Sequence, residues 1–391
     1  MSESSYSEYN KYRNNSSEFL SAPKPFGALC YAPFTSLFFD PQGDVHSCCQ
    51  SINYSLGNIK QTRLADIWHG STNQRIRDTL MSGVFPSGCA TCKHEIDHGN
   101  FAQTYARIYD SFKVNSSKPA WPQSLWFALS NACNLECVQC DGGLSSSIRK
   151  NRDRLPPLPK VYDDQFFEDL RPFLRHLALK QPLSEAKKDP AHGPVRDYYT
   201  RAMFLGGEPF LSRENFRIWE MMIEDDLLIL SIVFTNGTIF NKRVERIIET
   251  IPTVISISLD GATRKTVELI RKNAQFDKIM VNLERFRHYS DAYKIPIVLS
   301  FCLMPQNHHE FPDFMMLAEE LNCVAQTNTI YHPEQYSLAA LDETDLRKVI
   351  DDWESRDTEV RRNVKRNLDV WDQELARLRN WCSLKPHITD S

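Results

Sequence analysis

The 391-residue chain lacks any apolar run approaching the ~20 residues that cross a bilayer. Its first residues, MSESSYSEYNKYRNNSSEF, contain no apolar stretch of the kind a secretory signal needs. Neither sign of charge dominates: the net charge is −4, and basic residues are interspersed with acidic ones rather than gathered in a stripe. Nothing global therefore points to nucleic acid or an anionic membrane as a partner. There is no internal repeat. The expectation is a cytoplasmic protein, with 41% apolar and 25% charged residues as in ordinary globular chains, and a length that suits two or three domains.

What is present is cysteine. There are eleven, at positions 30, 48, 49, 89, 92, 133, 137, 140, 302, 323 and 382, and seven fall in short-range clusters. An odd count in a chain without an export signal argues against a disulfide framework. Thiolates gathered in a reducing compartment usually hold metal.

Residues 1–25 read as a flexible arm, rich in Ser, Asn and Tyr. Residues 26–105 carry the first five cysteines, with a strand-like SLFFD and a helical stretch around LADIWHGSTNQRIRDTLMSG. Residues 106–123 read as a linker ending in SSKPAWPQ. From 124 to 335, strands and helices alternate: SLWFALS, AMFLGG, LSIVFTNG, VISISLDG, IPIVLSFCLMP and CVAQTNTIY are strands with amphipathic helices between them. Repeated βα units imply a mainly parallel sheet. Residues 179–200 form a polar insertion too long for a routine loop, and 336–391 read as a helical C-terminal extension.

The strongest motif is Cys133-Asn-Leu-Glu-Cys137-Val-Gln-Cys140, directly after a strand. Three thiolates on one tight loop can ligate three corners of a four-iron cluster and leave the fourth iron open to a cofactor; a cluster serving only electron transfer normally has four cysteines. A structural zinc site with its fourth ligand elsewhere is the alternative. Gly206-Gly207-Glu208-Pro209 ends the next strand, where open α/β sheets place their ligands; paired glycines let backbone approach closely, and Pro209 fixes the turn. Thr235-Asn236-Gly237 and Ser256-Ile-Ser258-Leu-Asp260-Gly261 end two further strands. At period two, Ser256, Ser258 and Asp260 share one face, which suits a lumen that binds something hydrophilic. Ordinary turn chemistry explains Thr235 and Asn236 equally well.

The triplet resembles the signature of the radical S-adenosylmethionine (SAM) family, with Gln139 standing where many relatives carry an aromatic residue. The resemblance implies an α/β fold, a partial (β/α)6 TIM-like barrel. It implies a [4Fe–4S] cluster on Cys133, Cys137 and Cys140 whose open iron chelates S-adenosyl-L-methionine. One electron then cleaves the cofactor to a 5′-deoxyadenosyl radical, which abstracts hydrogen from a substrate. It also implies cofactor contacts from Gly206, Gly207, Glu208, Pro209, Thr235, Asn236, Ser258, Asp260 and Arg271, and a flavodoxin or ferredoxin as reductant.

Cys30, a Gly43-x4-Cys48 step and the Cys89-x2-Cys92 pair, with a Gly-Asn-Ile strand and an Ile-Trp helix between, resemble the twitch domain, a shortened SPASM domain. In relatives it holds an auxiliary [4Fe–4S] cluster. The implied ligands are Cys30, Cys48, Cys89 and Cys92, with Cys49 as an alternative to Cys48 and a four-cysteine zinc site as the alternative chemistry. The domain precedes the barrel here, whereas it usually follows it.

Two readings are bland. Asn307-His-His-Glu310 is read as a capping box, with Asn307 as N-cap and Glu310 at N3. Cys302 and Cys323 are read as core thiols, although Cys302 shares strand parity with Ser300. Relatives of this kind often modify peptides or proteins, so a peptide substrate is expected; a dehydrogenase or rearrangement enzyme acting on a carbohydrate or nucleotide-like small molecule is the rival enzyme. A non-catalytic zinc or electron-transfer protein is the rival from another class.

Overall fold

The computed structural model describes residues 3–15, 25–102, 104–186 and 200–384. Nine strands form one sheet: β1 (Ser36–Phe39), β2 (Asp44–His46), β3 (Gly57–Asn58), β4 (Ser124–Phe127), β5 (Arg201–Phe204), β6 (Leu230–Thr235), β7 (Thr253–Ser258), β8 (Val298–Leu303) and β9 (Val324–Thr329). Their order is β3-β2-β1-β4-β5-β6-β7-β8-β9. Strands β4 to β9 are parallel and follow one another in sequence, the six-stranded βα core expected.

Crossover helices cover one face. Helix Asp164–Leu177 starts where Asp163 accepts the Phe166 N–H, and buries Phe166, Phe167, Leu170, Phe173, Leu174 and Leu177. Helices Arg213–Glu224 and Lys242–Thr250 are capped in the same way by Ser212 and Asn241. Such a cap satisfies amides that the first turn leaves orphaned, typically ~1 kcal/mol each. Beneath them Leu125, Phe127, Ala202, Phe204, Val233, Ile255, Ile257, Leu299 and Phe301 point from the strands into the core. Each such burial contributes ~1.5–3 kcal/mol for a large side chain.

The other face is the lumen. Register places Phe38, Trp126, Met203 and Ile232 on it, then Ser258 beside Ser300, and Ser300 beside Gln326. Its floor is thus aromatic and apolar on β1 to β6 and polar on β7 to β9.

Three expectations change. The auxiliary segment is not a separate layer: β1 pairs in parallel with β4, so the hairpin β1–β2 extends the barrel sheet. Hydrogen bonding of a four-residue apolar strand to the exposed β4 edge is what sequence pattern alone cannot assign. The arm read as flexible is helical at Glu3–Asn15, with Tyr9 fully buried and Arg13 paired to Asp110. Burial of one aromatic and a charge-assisted pair hold an otherwise weakly apolar helix. The stretch read as linker begins with a 3-10 segment, Tyr105–Ser111, whose Tyr109 packs on Trp126 with ring centroids 6.2 Å apart. The expected insertion is described only to residue 186, in the short helix Leu183–Ala186; residues 187–199 lie outside the described residues. Helices Glu343–Asn363 and Leu368–Ser383 close the C-terminal side, with Trp353 and Trp371 stacked 5.3 Å apart.

Candidate active site

The three-cysteine loop leaves β4 and lies at the C-terminal mouth of the strands. Two backbone bonds fasten it to the end of helix Arg264–Ile270 and the residues just after it: Glu136 N–H to Lys272 O, 3.0 Å, and Val138 N–H to Ile270 O, 2.9 Å. Cys133, Cys137 and Cys140 remain partly exposed. Burial is the leading cause that raises all three thiols, Cys137 to about 11 and Cys140 to about 12; the Arg271 guanidinium pulls Cys137 back. Cys133 Sγ accepts from the Leu135 N–H at 3.5 Å and from Asn236 Nδ2 at 3.9 Å.

The glycine pair behaves otherwise than expected. Gly206 has φ +101°, and a Cβ on Gly207 would stand 2.5 Å from Ala132 O and 2.8 Å from Asn131 C. The close approach is to the chain's own cysteine loop. Gly207 N–H bonds Ser130 O at 3.1 Å and Glu208 N–H bonds Ala132 O at 2.7 Å, so the two turns are zipped together.

The strand-end polar residues form two networks. In the first, buried Glu208 accepts from Thr235 Oγ1 at 2.8 Å, from the Asn236 N–H at 2.7 Å and from the Phe210 N–H at 3.1 Å. Burial still raises its pKa to about 7 against those bonds. Asn236 Nδ2 continues to Asn134 Oδ1 at 3.0 Å. In the second, Asp260, fully buried with φ +61°, pairs with Arg271 and accepts from Gln139 Nε2 at 3.1 Å and from the Cys302 N–H at 2.7 Å. Asp and Asn tolerate this left-handed conformation better than most residues. Ser258 is half-buried at the mouth of β7, and Pro209 begins a buried turn.

Asn307-His-His-Glu310 is not a capping box. Asn307 Nδ2 donates to Asp260 O and to Cys302 O, bridging β7 and β8. Glu310 accepts from the Ala262 and Thr263 N–H groups and from Thr263 and Thr266 Oγ1, anchoring the start of helix Arg264–Ile270, which Arg271 follows. A tertiary partner with four donors outcompetes the local cap. Cys323 is buried as expected, but Cys302 is half-buried on the lumen side beside Asn328 and feels the charges of Asp260, Arg271 and Cys137.

In the N-terminal region, burial raises Cys30, Cys48, Cys89 and Cys92, with Cys89 reaching about 12. Cys30 feels Cys92, Cys48 and Cys89; Cys89 feels Cys48; and Cys92 feels Cys48 first, then Cys89 and, last, Cys49. The Ala32 N–H donates to Cys30 Sγ at 3.3 Å. Among the described residues, no three His, Cys, Asp or Glu side chains converge as the ligands of a single ion would. The donor chemistry is nonetheless that of iron–sulfur sites: all-thiolate sets with N–H groups aimed at sulfur.

Strand order and the mouth-facing cysteines define an α/β protein of consecutive parallel βα units with a cysteine loop at the strand ends. Residues 127–318 match the radical SAM superfamily, and residues 30–93 match SPASM, an iron–sulfur cluster-binding domain. The chain therefore carries a radical SAM region with a SPASM region ahead of it, and the cofactors that go with these regions are a [4Fe–4S] cluster with SAM and an auxiliary iron–sulfur cluster. No curated protein matches. Similar solved structures include native anSMEcpe with bound AdoMet: 19% identity, TM-score 0.39, covering 60% of this chain and 62% of that one. Streptococcus suis SuiB has 14% identity and TM-score 0.40, covering 74% and 62%. SuiB bound to precursor peptide SuiA has 13% identity and TM-score 0.38, covering 72% and 61%. The chain thus spans about three fifths of the length of each.

Proposed function

We propose that Cys133, Cys137 and Cys140 hold the four-iron cluster, and that the protein uses SAM to abstract hydrogen from a peptide or protein residue. The observation that carries the cluster assignment is the cysteine loop itself, with partly exposed thiols, sulfur-directed N–H groups and the buried Arg271 beside Cys137. Bound there, the cluster supplies one electron that breaks the sulfonium C–S bond and so provides the 5′-deoxyadenosyl radical. A reduced flavodoxin or ferredoxin is the proposed donor, in a cytoplasmic setting that keeps eleven thiols unpaired.

This chain's residues divide the remaining work. Gly206 and Gly207 let the turn lie against the cysteine loop and fix its height above the strands. Glu208 spends its carboxylate on Thr235 and Asn236, so it positions those strand ends; Pro209 holds the turn. Asp260 and Arg271 lock the cysteine loop to β7, Asn236 braces the same loop through Asn134, and Ser258 is left to meet the cofactor. Cys30, Cys48, Cys89 and Cys92 hold the auxiliary cluster, which takes an electron from the substrate or supports the fold.

The peptide reading rests on the polar half of the lumen. Ser256 Oγ is buried without a partner, Ser258 and Gln326 offer a hydroxyl and an amide, and Asn328 keeps its amide oxygen while its Nδ2 donates to Ser300 Oγ at 2.6 Å. Anaerobic protein given dithionite and SAM should release 5′-deoxyadenosine, and Cys133→Ala, Cys137→Ala and Cys140→Ala should each abolish it. Unchanged turnover in all three variants would rule out the site. Release stimulated by short peptides and not by sugars supports the peptide reading; the reverse supports the carbohydrate enzyme.

A further inference from the structure

A cavity of about 340 Å³ lies where residues 91–102 and 104–108 meet the open edge of the sheet at β9 and helix Leu368–Ser383. Cys92, Glu95 and Tyr105 wall one side, Thr329 a second, and Glu374 and Arg377 the third. The three charged side chains are buried, Glu95 at 2% exposure. Glu374 is matched: it accepts from Thr327 Oγ1 and lies 3.2 Å from Arg377. Arg377 also donates to Thr329 Oγ1. Glu95 is not matched, for neither of its oxygens has a hydrogen bond of ordinary geometry, although the Asn100 amide stands beside it. Two carboxylates thus share one guanidinium around an empty volume, and a buried unpaired carboxylate is costly unless a cation arrives.

We propose that this cavity binds a cationic group of the substrate, an ammonium or guanidinium, with Glu95 as its counter-ion. The Arg377 Nε–H, which also lacks an acceptor, is left to bond a neutral carbonyl or hydroxyl of the same molecule. The position suits a substrate reaching toward the lumen. Asn328 lines the cavity and is the register partner of Cys302, and Tyr105 feels the charges of both Cys92 and Cys302. Burial raises Glu95 to about 7 with Arg377 drawing it down, as fits a carboxyl waiting for a second cation.

The inference rests on the radical SAM reading for the word substrate, and its test does not depend on turnover. Binding is measured by calorimetry on the anaerobic, cluster-loaded full chain with SAM and no reductant. The probes are N-acetyl-lysine amide against N-acetyl-norleucine amide, and glucosamine against glucose. The lysine or the amino-sugar probe should bind at least tenfold more tightly than its neutral counterpart, and which pair responds tells a peptide from a small-molecule source. Glu95→Gln, nearly isosteric, should erase that preference, and Glu95→Asp should restore part of it. Equal binding of cationic and neutral probes to the wild type would overturn the proposal, as would a preference unchanged in Glu95→Gln. Absence of 5′-deoxyadenosine on adding dithionite would count against the radical reading alone.

Discussion

Arg271 Nη2 lies 2.7 Å from Asp260 Oδ2, with both side chains buried. The pair joins the mouth of β7 to the residue after helix Arg264–Ile270, where the chain also bonds the cysteine loop. Gln139, between the second and third cysteines, closes the triangle through the same carboxylate oxygen. Cluster loop, strand end and helix end therefore share one anchor.

Removing one member of that pair leaves the other charge buried. Arg271→Met should cost ~3–5 kcal/mol of stability. Asp260→Asn keeps the left-handed backbone and an acceptor for the Cys302 N–H, so it tests the charge alone. Urea unfolding of both single variants and the double should show a coupling above ~0.5 kcal/mol. Additive losses would remove the pair's anchoring role.

Gly207→Ala forces a Cβ against backbone atoms of 131 and 132. The cysteine loop must move, at a cost of ~1–3 kcal/mol or more for such overpacking. Iron bound at the barrel site should fall relative to wild type while auxiliary iron persists; full iron content and unchanged melting would contradict the packing.

Both clusters together should give about seven to eight irons per chain in anaerobic protein. Cys133→Ala should lower this toward about four, and Cys48→Ala should remove the auxiliary set in the same way. Cys49→Ala should leave the iron content intact, because Cys48 acts on Cys30, Cys89 and Cys92, and on Cys92 ahead of Cys49. Iron loss in Cys49→Ala with none in Cys48→Ala would reverse the assignment.

Two buried carboxyls should give opposite pH slopes. Burial would raise Glu310, but its bonds from Thr263 and Thr266 and from two backbone N–H groups bring it below the ordinary value. Its stabilisation is present above the unfolded carboxyl pKa and is lost as pH falls through the folded value. Glu208 is raised to about 7 by burial, so its contribution is complete below the unfolded pKa of about 4.5 and fades as pH rises through 7. Urea titrations from pH 4 to 8 should show Glu310→Gln least harmful at the acid end. Glu208→Gln should flatten the decline above pH 5, which is worth about 3 kcal/mol at most.

The alternating βα pattern and the cysteine spacings were legible because both are local. Period-two apolar runs mark the strands β4 to β9, and three thiols within eight residues must share a loop whatever surrounds them. The choice between Cys48 and Cys49 was not legible, since adjacent residues differ only in which way a turn aims them. Nor was the role of Asn307 and Glu310, whose spacing mimics a cap while Glu310 and the Asp260 bond of Asn307 reach partners 44 to 48 residues away. Glu95 and Arg377 carry no motif at all, and are 282 residues apart in sequence.

Sequence alone determined the donor set of the loop, because a C-x3-C-x2-C spacing after a strand fixes donor type and number through covalent spacing. Only the tertiary structure decided what the glycine pair approaches, that β1 joins the barrel sheet beside β4, and that an unmatched carboxylate faces a cavity at β9. Those depend on edges and buried surfaces meeting across long separations, where packing and desolvation choose the partners and local pattern does not.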